Sequence, residues 1–320
     1  MSTTVQGFRH LPGHHCGSTA LRNLLGFHGA ELTEEMAFGL GAGACFYFVP
    51  MDGQSPSRFT NGRTSRLEEQ FVELTGAPLE LLTFENAEAS WDAARASVEA
   101  GSPALLLTDL YYLDHYGKSA HFPGHAVVLA GFDAEVAYLS DTAFDELQTT
   151  TLASLRKARH AQHPLFPLAG HMFVARSGIA EFDPGTAAAA AVQRCAERML
   201  EPPLGEYEGL PGLRRFATEV SSWPELLSDW QWSARFNHQT IERRGTGGGN
   251  FRLMYSRFLR EAGYAEAEQA GLAADAWTEL ASRLLAASED EEPDPASWDA
   301  IGAQAATVLK VEERLWEALA

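Results

Sequence analysis

Apolar positions in the first thirty residues change texture at one point. Pro12 and Gly13 break any regular element, and then Ala20, Leu21, Leu24 and Leu25 fall on one helical stripe that His28-Gly29 closes. Helical patterns recur over residues 70–76 and 91–100. Ala104-Leu105-Leu106-Leu107-Thr108 reads as a buried strand. His125 to Ala130 and Val136 to Ser140 read as two strands around the turn Gly131 to Glu135. His171 to Ala175 is a further strand, and residues 186–200 form an Ala-rich helix. Pro202-Pro203 and the Gly/Pro punctuation through Gly212 mark a hinge, and from Leu213 helical patterns dominate. They are interrupted by Gly245-Thr246-Gly247-Gly248-Gly249 and by the acidic run Ser288 to Pro295, a solvated loop. The pattern predicts an α+β domain over 1–182 and a mostly helical domain over 183–320.

Composition narrows the picture. The chain has 320 residues, 45% hydrophobic, enough for one large or two modest cores. No apolar run reaches the ~18 residues of a membrane span, and the N-terminal residues lack the regions of a signal peptide. Three cysteines, far apart, fit neither a disulfide framework nor a metal site, so a reduced, cytoplasmic protein is expected. The histidines fall at no recognisable ligand spacing, and no metal is expected. A net charge of -19 argues against nucleic acid as a main partner. An acidic protein partner needs only a local basic patch.

Cys16 sits at or next to the N-terminus of the first helix, where unpaired N–H groups and the macrodipole favour an anion. A thiol there loses its proton more readily, and the thiolate is the nucleophile. A loop, a cysteine and then a buried helix is how papain-like active sites begin. His125 opens one strand of the hairpin and Asp141 follows the other, equidistant from Asp133 at the turn. Residues facing each other across an antiparallel pair can interact, so an imidazole oriented by a carboxylate is expected. Each residue alone has a structural use: a core cysteine, a satisfied strand histidine, a turn-forming Asp. Their order and local structures together point to a Cys16–His125–Asp141 triad. Cys45, in an apolar run, and Cys195, in the Ala-rich helix, read as packing residues.

The oxyanion hole should include the backbone N–H of Cys16. Papain-like enzymes add a side-chain donor, commonly Gln, six positions before the cysteine. His10 stands there in this chain, so His10 or the neighbouring His15 is the candidate donor, against the alternative that they only line the loop. Tyr111, Tyr112 and His121 lie in an aromatic loop next to the presumed base and are candidates for an acyl-pocket wall. Thr246 to Asn250, opening a helical run and flanked by Arg243, Arg244 and Arg252, could bind an anion, or could be an inter-helix loop with surface arginines.

These motifs resemble a known family. His15-Cys16-Gly17-Ser18-Thr19-Ala20-Leu21-Arg22-Asn23-Leu24-Leu25, Phe38 to Gly43, Gly124-His125-Ala126-Val127-Val128 and Ser140-Asp141-Thr142 resemble the N-terminal domain of butirosin biosynthesis protein H. Leu155 to Arg159 fits the helix that follows there. The second half is similar to the uncharacterised domain that accompanies it, most specifically from Ile241 to Arg252. The resemblance implies a papain-like fold with a mostly helical C-terminal domain. It also implies acyl transfer from a carrier-protein thioester to a small-molecule acceptor, an amine or hydroxyl. The partner would be an acyl carrier protein bringing its own phosphopantetheine, with no cofactor held by this chain. Cysteine hydrolysis and cyclisation share the acyl-enzyme and remain alternatives, as does an inactive scaffold. A homo-oligomer is left open.

Overall fold

The computed structural model describes residues 2–118, 120–163, 166–179 and 182–320. In chain order the strands are β1 (Thr3–Thr4), β2 (Ala44–Pro50), β3 (Arg58–Arg63), β4 (Leu79–Leu82), β5 (Ala104–Asp109), β6 (Pro123–Phe132), β7 (Val136–Ser140), β8 (Gln148–Thr151) and β9 (Met172–Ala175). The helices are α1 (Cys16–Phe27), α2 (Glu34–Leu40), α3 (Leu67–Thr75), α4 (Ala87–Glu99), α5 (Leu152–Arg159) and α6 (Ala188–Leu200). They continue with α7 (Gly209–Glu219), α8 (Trp223–Leu226), α9 (Trp230–Glu242), α10 (Arg252–Glu261), α11 (Ala267–Ala287) and α12 (Pro295–Leu319). Among the described residues no helix is long and apolar enough to cross a membrane.

The chain forms two compact units, and they are not consecutive in sequence. One comprises Met1–Ala37 with Ser65–Pro184, the other Phe38–Thr64 with Gly185–Ala320. The expected division at 182/183 falls close to the second crossing, but the segment 38–64 corrects the assignment of 1–182 to a single domain. The reason is hydrogen bonding. Among the described residues β2 and β3 pair only with each other as strands. Asn237 on α9 accepts from the Thr60 amide at 2.8 Å and hydroxyl at 2.6 Å and donates to the Arg58 carbonyl at 2.9 Å. Nothing in the polar run Arg58 to Arg63 announces that partner.

The first unit is built on a seven-stranded antiparallel sheet, ordered β4-β9-β5-β6-β7-β8 with β1 added on β6. Val127 and Leu129 of β6, Ala104 and Leu106 of β5 and Leu139 of β7 pack against Trp91, Ala94, Val98, Leu155 and Ala158 of α4 and α5. Side chains alternate along a strand, so His125 lies at the end of the row that Val127 and Leu129 occupy in this core.

The hairpin differs from the symmetric expectation. Leu129 pairs with Leu139 and Gly131 with Tyr138, leaving Ala130 as an extra residue. Its carbonyl is used instead by the Val5 amide, at 2.9 Å. Val128 then faces Ser140, so Asp141 falls opposite Val127, not His125. His125 remains on the same face, two residues along, a diagonal that long side chains can span.

The second unit is helical around the β2–β3 hairpin, and a charge holds its centre. Arg252 and Glu312 are both fully buried and paired at 2.8 Å. Glu312 also accepts from the indoles of Trp277 and Trp316, each at 2.6 Å. Arg252 spends its other donors on the carbonyls of Cys45 at 2.9 Å and Gly62 at 3.1 Å. This corrects the reading of Arg252 as an anion-binding residue: its guanidinium is enclosed in the core, held by Glu312 and backbone carbonyls. Asn250 is corrected with it. It is fully buried, and it belongs to a left-handed run in which Gly248, Gly249, Asn250 and Phe251 have φ of 99°, 54°, 55° and 68°. Phe251 stacks on Phe38 at 5.6 Å. A Cβ on Gly249 would lie 2.6 Å from the backbone of Ala274, so only glycine permits that approach. The glycine run wedges α10 against the hairpin and α11.

Removing one partner of a buried ion pair leaves the other charge uncompensated. Glu312→Gln is expected to destabilise the protein by about 3–5 kcal/mol in urea unfolding, with Arg252→Met plus Glu312→Leu recovering much of the loss. A single variant as stable as wild type would show that the pair does not hold this core.

Candidate active site

Cys16 is the first residue of α1, and its position is set by charge as much as by the helix. His15 is the N-cap, with φ -102° and ψ 128°, and its Nδ1 accepts from the Ser18 amide at 3.3 Å. Ahead of it, Glu34 from α2 is buried and accepts from the amides of His14 at 2.9 Å and His15 at 2.7 Å and from the Thr19 hydroxyl at 3.1 Å. Gly13 makes room for this carboxylate: a Cβ there would come within 2.5 Å of Glu34 Oε2. The Cys16 thiol is half-buried, whereas Cys45 and Cys195 are enclosed. Burial pushes the Cys45 thiol up to about 12 and the Cys195 thiol up to about 11, which keeps both protonated and inert.

His125 and Asp141 meet as the triad reading requires, although by the diagonal. Nε2 of His125 lies 3.0 and 3.1 Å from the two carboxylate oxygens. Cys16 is close enough to act on the imidazole's charge, and Nδ1 is the ring nitrogen that Asp141 does not engage. Burial alone would push the His125 pKa down. The Asp141 charge and hydrogen bond, with the contact to Cys16, outweigh burial and carry it up to about 10. Burial would likewise raise Asp141, but the His125 charge and the hydrogen bonds from His115 and His125 hold it far below the usual carboxylate range.

Two further groups share this carboxylate, and the sequence reading did not find them. Nε2 of His115 lies 2.9 Å from Asp141 Oδ2, and the Tyr116 hydroxyl donates to Oδ1 at 3.0 Å. Burial, reinforced by the negative charge of Asp141, raises the Tyr116 pKa well above its ordinary value, so the phenol remains a donor. Both residues come from the short helical turn Asp114–Tyr116. Asp114 pins that turn by accepting from the Thr151 amide and the Ser154 hydroxyl, each at 2.7 Å. The only signal in the sequence was the density of aromatic and His residues between Asp109 and Tyr116.

Tyr111, Tyr112 and His121 are brought together. His121 stacks on Tyr111 at 4.0 Å and meets Tyr112 edge-on at 5.7 Å. His10 is corrected as an oxyanion donor. Its ring nitrogens lie 2.7 Å from the Ser140 hydroxyl and 2.8 Å from the Phe144 carbonyl, so it fastens the N-terminal segment to the end of β7. His15 serves as the helix cap just described. In the second unit Arg243 and Arg244 are exposed, and Arg244 is held by Gln239 Oε1 at 2.8 Å and lies 4.6 Å over the Phe236 ring.

Comparison with known proteins gives two family matches. Residues 15–142 match the model for butirosin biosynthesis protein H, N-terminal, and residues 153–319 match a domain of unknown function (DUF4872). No curated protein matches the chain. Among solved structures, a candidate C39-like peptidase from Bacillus anthracis aligns with 16% identity and a TM-score of 0.39, covering 55% of this chain and 98% of its own.

The shifted pair predicts a pH signature. Asp141 is depressed below its usual 3.8, so its contribution is present above that value and lost as pH falls through the folded one. His125 is raised from 6.5 to about 10, so its contribution is full below 6.5 and lost as pH rises through about 10. The stability gap between wild type and Asp141→Asn should be widest near pH 5–6 and shrink towards pH 10. Denaturant melts showing a constant gap from pH 4 to 10 would refute the pairing.

Proposed function

The chain belongs to the butirosin biosynthesis protein H family, and we propose that it is a papain-like cysteine acyltransferase of antibiotic biosynthesis. It would take an acyl group from an acyl-carrier-protein thioester and pass it, through a Cys16 acyl-enzyme, to an amine or hydroxyl acceptor. The observation that carries this reading is the placement of His125 between a buried carboxylate and the Cys16 thiol.

The chemistry follows from the charges. A His125 pKa lifted to about 10 favours imidazolium beside thiolate at neutral pH. Cys16 Sγ attacks the thioester carbonyl, and the backbone N–H of Cys16, at the positive end of α1, stabilises the oxyanion. As the tetrahedral adduct collapses, the imidazolium gives its proton to the departing carrier thiol. Neutral His125 is then the base for the acceptor, and Asp141 stabilises the imidazolium at the start and end of the cycle. Phosphopantetheine arrives on the carrier, and the exposed cations Arg243 and Arg244 are the candidates for attracting an acidic carrier.

Incubation with carrier-bound acyl thioesters should leave an acyl adduct on Cys16 in intact-mass spectra, absent in Cys16→Ala. Iodoacetamide should label Cys16 well before Cys45 or Cys195. Adducts elsewhere, or turnover by Cys16→Ala, would end this reading. Release of free acid with no acceptor product would favour a hydrolase.

Charge reversal at Arg243 and Arg244 should slow transfer from a carrier more than from a small thioester. The difference should fade with added salt, since screening acts over about 10 Å at 0.1 M. Equal loss on both donors would remove the docking role.

A further inference from the structure

A second carboxylate–imidazole pair lies at the same end of the sheet as the first, and the scheme above leaves it unused. Nδ1 of His121 lies 2.7 Å from Asp109 Oδ2. The Asp109 side chain is only 2% exposed, while that of His121 is 50% exposed. The two oxygens of Asp109 divide their work. Oδ1 accepts from the amides of Tyr111 at 3.1 Å and Phe122 at 2.9 Å and so shapes the loop, while Oδ2 takes the imidazole. The Tyr111 stack holds the ring in plane. With Nδ1 committed to the carboxylate, Nε2 is the nitrogen left for a ligand. The pair sits where β5 and β6 separate: Thr108 faces His125, Asp109 faces Pro123, and the Phe122 ring is 6.5 Å from the His125 ring. Both imidazoles thus belong to one end of the sheet.

We infer that His121, oriented by Asp109, is a general base that takes the first proton from the acceptor, which enters as an ammonium ion. The inference rests on the acyl-enzyme reading and deepens it. A primary aliphatic amine at neutral pH is an ammonium ion with three N–H protons, and the amide product keeps one, so two must leave. His121 Nε2 accepts the first, and its imidazolium is held against Asp109. The freed lone pair forms the C–N bond at the Cys16 thioester carbonyl. The second proton passes from the tetrahedral nitrogen to His125, neutral since the carrier thiol departed. The C–S bond then breaks, Cys16 leaves as thiolate beside the His125 imidazolium, and His121 returns its proton to water. One imidazole cannot hold both protons, which gives the second pair its use.

The test compares two acceptors, with the acetyl thioester of N-acetylcysteamine as donor. Ethanolamine is an ammonium ion at neutral pH, whereas methoxyamine is already uncharged. His121→Gln should slow transfer to ethanolamine about 100-fold, the scale of a lost general base, and transfer to methoxyamine by no more than about twofold. Should the Gln variant not fold, His121→Phe keeps an aromatic ring against Tyr111 and should give the same contrast. Equal slowing of both acceptors, or of neither, would overturn the role of His121. Failure of wild-type Cys16 to form any acetyl adduct would instead overturn the acyl-enzyme reading beneath it.

Discussion

The buried carboxylate of Asp141 is the interaction on which the site depends. Removing a carboxylate from water costs several kcal/mol unless charge and hydrogen bonds replace the lost solvation. Here the side chain is fully enclosed, and its replacements are the imidazoles of His115 and His125 and the phenol of Tyr116. The three donors are delivered by two separate pieces of chain. His125 comes from β6, His115 and Tyr116 from a turn fastened by Asp114 to the β8–α5 junction. Satisfying one anion therefore orders the strand end, the turn and the imidazole that faces Cys16.

The same device recurs in the loop before Cys16 and in the loop that carries His121. Glu34 gathers the amides of His14 and His15, and Asp109 gathers those of Tyr111 and Phe122. These loops carry the functional side chains, and a loop has no ladder to hold its amides. A carboxylate supplies two acceptors at one point, with charge-assisted bonds stronger than neutral ones. The second unit uses Glu312 likewise, binding Arg252 and two indoles, and there the whole cluster is enclosed in the core. The two clusters differ in what they leave open: Asp141 engages only Nε2 of His125, whereas Arg252 and Glu312 are both fully enclosed.

Much of this was legible along the chain. The helix that starts at Cys16 follows from Pro12-Gly13 and the stripe from Ala20 to Leu25. The strands 104–109, 123–132 and 136–140 follow from their apolar runs, because burial on a sheet leaves a local record in composition. The places of Cys16, His125 and Asp141 at or near the ends of such elements were readable too. Tertiary structure decided the rest. The extra residue Ala130 shifts the hairpin so that His125 reaches Asp141 on the diagonal, and a bulge taken up by the Val5 amide has no local signature. His115 and Tyr116 reach Asp141 only because Asp114 is bound 37 residues away in sequence, at Thr151. The β2–β3 hairpin joins the second unit because Asn237 and Arg252 satisfy its backbone. Arg252, which beside a glycine run reads as ligand-binding, is a core residue for the same reason, and Asn250 is buried with it against Gly62. Periodicity reports which face of an element is buried, whereas hydrogen-bond partners of loops and buried charges are chosen across space, where one-dimensional pattern carries no record.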